Sequence, residues 1–231
     1  MPRRLNLRAA ATLALAGCAT AFPSAPMPAS LAPGAVADAG AWAASTRPPG
    51  HLILRFHWHL IAEGGSGGRG AVLIAPPDSL KLSFLGPVGF GSGAAAVIGD
   101  SAIWAEPQEQ VDKFVVSYPL LWAMVGIARP PAAGWVVQGH QDAAGTAWRY
   151  VHGTDRVDYL IRRTAVTILE ASVRQDGNPI GHVITVLNED GRPARSRLDI
   201  LTTRARLEIT FDKVTRQTPF DRDSWLAPHD Q

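Results

Sequence analysis

The chain has one cysteine, Cys18, among 231 residues. A single thiol cannot close an intramolecular disulfide, so no covalent staple is expected. An excess of either charge is also missing. The 22 Lys+Arg and 20 Asp+Glu give a formal +2. Without Arg3, Arg4 and Arg8, which lie in a segment read below as cleaved, 19 cations face 20 anions and the net charge is −1. No run of Lys and Arg marks a membrane-surface patch, and nothing in the charge points to nucleic acid. The apolar run Tyr118–Ile127, about ten residues, is too short to span a bilayer. No repeat at about 20–50 residues suggests a propeller or solenoid. Phosphate-loop and dinucleotide glycine fingerprints are absent. Gly65-Ser66-Gly67 and Gly91-Ser92-Gly93 lack the wider frame of a nucleophile elbow, and no carboxylates pair in a recognisable arrangement. His57 and His59 share one strand face, and His140 sits beside Asp142, but neither group has a third ligand at metal spacing. The expectation is a protein that is not an enzyme, with no cofactor and no metal.

The N-terminus carries more information. Arg3, Arg4 and Arg8 form a positive region, Ala9–Ala16 a short apolar one, and Leu15-Ala16-Gly17-Cys18 follows directly. This resembles the lipobox of bacterial lipoproteins, in which small residues fit the peptidase cleft and the thiol takes a diacylglyceryl group. The resemblance implies a signal peptide over 1–17 and a lipidated Cys18 as the mature N-terminus. Two or more acyl chains give stable anchoring where one does not. Ala19 follows, not the aspartate that retains such proteins in the inner membrane, so the expected location is the outer membrane, facing the periplasm. Residues 18–50, rich in Ala and Pro, are expected to form a flexible tether, with a weak Ala-rich helix at 34–46.

From His51 the pattern has period two. Leu52, Leu54, Phe56, Trp58 and Leu60 fall on one face of a long strand, and Arg55, His57 and His59 on the other. Similar alternation continues to Phe211. Asp176-Gly177 and Asp190-Gly191 are hairpin signals. Midway, Pro107 introduces a helix over 108–115, and Tyr118–Ile127 is apolar on nearly every side, as a buried helix is. The expected domain, 51–231, is mainly β with some α. It consists of one curved antiparallel sheet of about ten or eleven strands, an unclosed half-barrel whose concave face is covered by two midway helices. The tail through Trp225-Leu226-Ala227 is expected to cap a sheet edge.

The long first strand, the glycine-rich loop, the run from Arg69-Gly70-Ala71 to Leu80-Lys81-Leu82, Leu85-Gly86-Pro87-Val88-Gly89 and the helix with Pro119-Leu120-Leu121-Trp122 together resemble the LolA/LolB-like superfamily. The closest resemblance within it is to DUF4292-type bacterial lipoproteins, specific over residues 69–127. It implies an apolar cavity under a helical lid that holds acyl chains. Trp58, Phe84, Leu121, Trp122 and Val125 are the candidate ligand-binding residues. Gly86–Gly93, with Val88 and Phe90, is the candidate membrane-inserting loop. No functional residue of the family falls on a matching position. Two functions follow as alternatives: a lipoprotein that takes acyl chains or a lipidated partner into its cavity, or a structural or assembly lipoprotein with a filled core that binds envelope proteins.

Overall fold

A computed structural model describes residues 22–62, 65–87 and 91–227. Cys18, the signal peptide, Val88 and Phe90 lie outside the described residues. The strands are β1 (Ala32–Pro33), β2 (His51–Ile61), β3 (Ser66–Ala75), β4 (Ser79–Leu85), β5 (Ser92–Ile98), β6 (Ser101–Glu106), β7 (Val136–Gln141), β8 (Gly145–His152), β9 (Asp155–Arg163), β10 (Thr167–Gln175), β11 (Asn178–Leu187), β12 (Pro193–Ile200) and β13 (Ala205–Gln217). Three helices join them: α1 (Val36–Ser45), α2 (Gln108–Val111) and α3 (Tyr118–Met124). Among the described residues, no helix is long and apolar enough to cross a membrane.

All thirteen strands lie in one sheet, in the order β1-β7-β8-β9-β10-β11-β12-β13-β2-β3-β4-β5-β6. Two meanders, β2–β6 and β7–β13, are fused where β13 pairs antiparallel with β2 from Gln217↔His51 to Arg206↔Ile61. β1 and β6 are free edges, so the sheet stays open. The alternation of β2 decides its facing: Leu52, Leu54, Phe56, Trp58 and Leu60 are buried on the concave side. The hairpin signals also hold, for Asp176 and Gly177 both adopt positive φ (51° and 76°) at the β10–β11 turn. The tail packs at the β6 edge, where the Trp225 carbonyl accepts from Trp104 Nε1 (2.7 Å) and that of Leu226 from Lys81 Nζ (3.2 Å).

The strand count exceeds the expected ten or eleven. One reason is β1, whose two residues carry no alternation and pair only because β7 offers an open edge. The midway helices are also shorter than expected. α3 stops at Met124 because Gly126 takes the left-handed conformation (φ 83°) favoured just past a helix end.

The largest departure is the Ala/Pro-rich segment, which forms no free coil over residues 22–50. Its first part runs across the convex face. Phe22 lies under the guanidinium groups of Arg195 and Arg197 at 4.7 and 5.3 Å. Ser24 Oγ and the Ala25 amide donate to the two oxygens of Glu170 at 2.8 and 2.9 Å. Leu160, Ile168, Ile184 and Val186 alternate with the core-facing residues of β9–β11, yet each is no more than 8% exposed. β1 then pairs with Gln138 and Gly139, and α1 turns into the concave face. There Ala39 and Ala43 are fully buried, and Trp42 packs on Trp148 and Tyr159 at 6.4 and 5.9 Å. Alanine's small side chain lets α1 approach closely. Composition alone does not reveal such packing.

Glu170 fastens this strap. Burial pushes its carboxyl upward, but hydrogen bonds from His182, Ser24 and the Ala25 amide outweigh burial and hold it below the ordinary glutamate value. Arg162, at 3.8 Å, faces the same carboxylate. A depressed carboxyl stabilises the fold above its unfolded pKa and loses that contribution as pH falls through its folded value. Protection of the Ala25 amide against hydrogen exchange is therefore expected to fall as pH drops through the depressed value of Glu170, below the ordinary glutamate range. Glu170→Gln should show the lower protection already at neutral pH, with the acid step reduced.

Candidate functional site

The concave interior is filled unequally along β2. At its C-terminal half the rings of Trp58, Phe84 and Phe114 form a plug: Phe84 stacks on Phe114 at 4.0 Å, and Trp58 meets their edges at 6.3 and 5.1 Å. Glycines make room for it. Gly70 lies in register with both Phe56 and Phe84, and Gly68 with Trp58. A Cβ at Gly70 would stand 2.3 Å from the Phe56 ring.

In the middle, α3 packs on β10–β12. Leu120, Leu121, Trp122, Ala123 and Met124 are all buried. Trp122 Nε1 donates to the Gly99 carbonyl (2.8 Å), and its ring lies under Arg129 at 5.2 Å. Thr185 Oγ1 donates to the Ala123 carbonyl at 2.7 Å and bonds Ser196 Oγ at 2.8 Å, which ties the end of the helix to β11 and β12.

At the N-terminal half of β2 the interior opens into a cavity of about 330 Å³. Leu52, Leu54, Ile74, Val125, Ile127, Ile161 and Leu187 supply its apolar wall, with Trp42 of α1. Thr46–Pro49 and the β11–β12 hairpin, Asn188–Arg192, form its rim. Thr46 Oγ1 holds the rim to the turn after α3, accepting from the Ala128 amide at 2.9 Å. Arg47, Arg163, Arg192 and Arg216 stand around this cavity together with Glu189 and Asp190.

Of the five residues singled out from the sequence, only Val125 lines this cavity. Trp58 and Phe84 meet in the plug, and Leu121 and Trp122 lie inside the packed helix layer. The remaining wall residues come from six separate segments, and no local motif joins them. The hairpin signal Asp190-Gly191 was the one visible trace, since it placed a turn where the rim now stands. Elsewhere, His57 Nδ1 pairs with Asp212 (2.7 Å) and His140 Nε2 with Asp142 (3.2 Å), both exposed. Among the described residues, no group of three or more His, Cys, Asp or Glu is placed to hold a metal.

No protein-family model and no curated protein matches this chain. Solved structures do resemble it. A LolA superfamily protein from Nitrosomonas europaea, NE2245, is 13% identical with a TM-score of 0.48, covering 81% of this chain and 96% of its own. A DUF1329 family protein from Desulfovibrio piger is 7% identical with a TM-score of 0.42, covering 85% and 98%. An outer membrane lipoprotein-sorting protein domain from Vibrio parahaemolyticus is 9% identical with a TM-score of 0.36, covering 82% and 94%.

Proposed function

We propose that this protein is an envelope lipoprotein, anchored in the outer membrane through Cys18 and facing the periplasm, that takes a fatty-acyl chain of a lipid or lipidated partner into the cavity beneath Thr46–Pro49. In this reading it is a carrier or receptor, not an enzyme, and it stands with the DUF4292-type lipoproteins that its sequence resembles. The supporting observation is the cavity: an apolar wall of seven aliphatic residues, open beside a polar rim, at the N-terminal end of β2. Each methylene buried there contributes about 0.8 kcal/mol. The plug and the filled middle favour a second reading, in which the interior is a core alone and the lipoprotein binds envelope proteins through its surface.

Binding of a fluorescent long-chain acyl probe separates the two. Saturable binding is expected. Val125→Phe, which fills the cavity, should displace at least two methylenes and weaken binding about tenfold or more, with thermal unfolding little changed. A well-folded wild type without binding would leave the core-only reading. Trp122→Ala is a poorer probe, because its loss costs about 3–5 kcal/mol of core packing.

A further inference from the structure

The arginines around the cavity differ from six that are paired with carboxylates elsewhere in the chain. Arg129, Arg149, Arg156, Arg162, Arg197 and Arg206 each stand within 3.8 Å of a carboxylate. Arg47, Arg163, Arg192 and Arg216 make no ion pair among the described residues, although Glu189 and Asp190 share the cavity wall with them. They arrive from four separate segments: the turn after α1, the end of β9, the β11–β12 hairpin and the end of β13. One guanidinium has a further deficit, for Arg47 Nε is buried with no hydrogen-bond partner. A buried donor without an acceptor is costly, and an anion that accepts from it removes the penalty. Guanidinium forks match carboxylate and phosphate groups well.

The volume adds a limit. At about 330 Å³, the cavity is at the small end of the roughly 300–1,000 Å³ of ligand pockets. It suits one acyl chain rather than two or three.

We infer that the cavity selects a single-chain amphiphile with an anionic head group. The chain lies against Leu54, Val125 and Ile127, and the carboxylate or phosphate is held at the rim by Arg47 and Arg192, with Arg163 and Arg216 adding positive potential. This rests on the acyl-binding reading above and adds to it a head-group preference. A fatty acid and a lysophospholipid phosphate share the required chemistry.

The test uses the chain from Ala19 onward, which contains every described element. Three measurements are compared: binding of a fluorescent long-chain fatty acid, binding of its methyl ester, and displacement of the acid by lysophosphatidylglycerol or by inorganic phosphate. The acid should bind about tenfold more tightly than the ester, the change expected from one or more charge-assisted hydrogen bonds. The double substitution Arg47→Gln with Arg192→Gln should bring the acid to within about twofold of the ester. Should that variant fail to fold, Arg163→Gln with Arg216→Gln, both exposed, should shift the acid in the same direction. Displacement by lysophosphatidylglycerol but not by inorganic phosphate supports the proposal and places the phosphate head among its ligands. Failure of lysophosphatidylglycerol to displace the acid would overturn the phosphate arm. Displacement by inorganic phosphate alone would overturn the amphiphile in favour of a plain anion site. Equal binding of acid and ester would overturn the head-group preference and leave the acyl cavity standing. Absence of binding by either would overturn both.

Discussion

A chain that begins at His51 is expected to lose cooperative unfolding, bind an apolar-surface dye and aggregate, whereas one that begins at Ala19 folds. Removing residues 19–50 uncovers Leu160, which lines a small pocket with Ala25 and Met27, and takes Phe22 from beneath Arg195 and Arg197. It also strips Trp42, Ala39 and Ala43 from the concave core, where Trp148 and Tyr159 would be left without cover. Each large apolar side chain returned to water costs about 1.5–3 kcal/mol, so the lost cover over Leu160, Trp148 and Tyr159 is a large fraction of the stability of an ordinary domain, about 5–15 kcal/mol. Releasing the segment returns conformational entropy. That gain accrues to a chain with a contiguous apolar face, which favours association over a folded monomer. Guanidinium melts of the two chains, followed by tryptophan fluorescence, check this. A steep transition of unchanged midpoint for the shorter chain would show the strap to be an ornament.

Gly70→Ala is expected to destabilise by about 3 kcal/mol or more, well above the usual cost of one added methyl. The new Cβ would lie 2.3 Å from Phe56 Cζ and 2.5 Å from the Ser83 carbonyl oxygen. The second contact is backbone, so the clash cannot be relieved by a rotamer change alone. The Phe56 ring would be forced toward Phe211, its neighbour at 6.1 Å. Val72→Ala, two residues along the same strand face, is the control. It removes buried methyls without a clash, and about 1–3 kcal/mol is expected. Denaturant midpoints should fall further for Gly70→Ala than for Val72→Ala, and the reverse order would mean that the plug adapts.

The contrast between these glycines and the strap shows what the sequence made legible. The alternation of Leu52 to Leu60 assigns their face, because period two leaves no other choice once one side is apolar. Asp176-Gly177 announced its turn, and Tyr118–Ile127 announced a buried helix through its uniform apolarity. The open antiparallel sheet with helices on its concave side followed from these. The strap did not, because Ser24 and Ala25 reach Glu170 across nearly 150 positions and nothing local in an Ala/Pro run records a distant carboxylate. The filling of the interior was equally hidden. Trp58 and Phe84 alternate as cavity-lining residues would, and the glycines facing them decide that they form a plug instead. Leu54, Val125, Ile127 and Leu187 meet only through pairings far apart in the chain, so the cavity they share has no linear signature.

The most direct measurement is photo-crosslinking of a diazirine-bearing long-chain fatty acid to the chain from Ala19 onward, with adducts mapped by mass spectrometry. An acyl-binding cavity at the open end of the half-barrel predicts adducts on Val125, Ile127, Leu187 and their neighbours, competed by unlabelled fatty acid and lost in Val125→Phe. Adducts confined to the convex surface, or none that unlabelled fatty acid competes away, would contradict it.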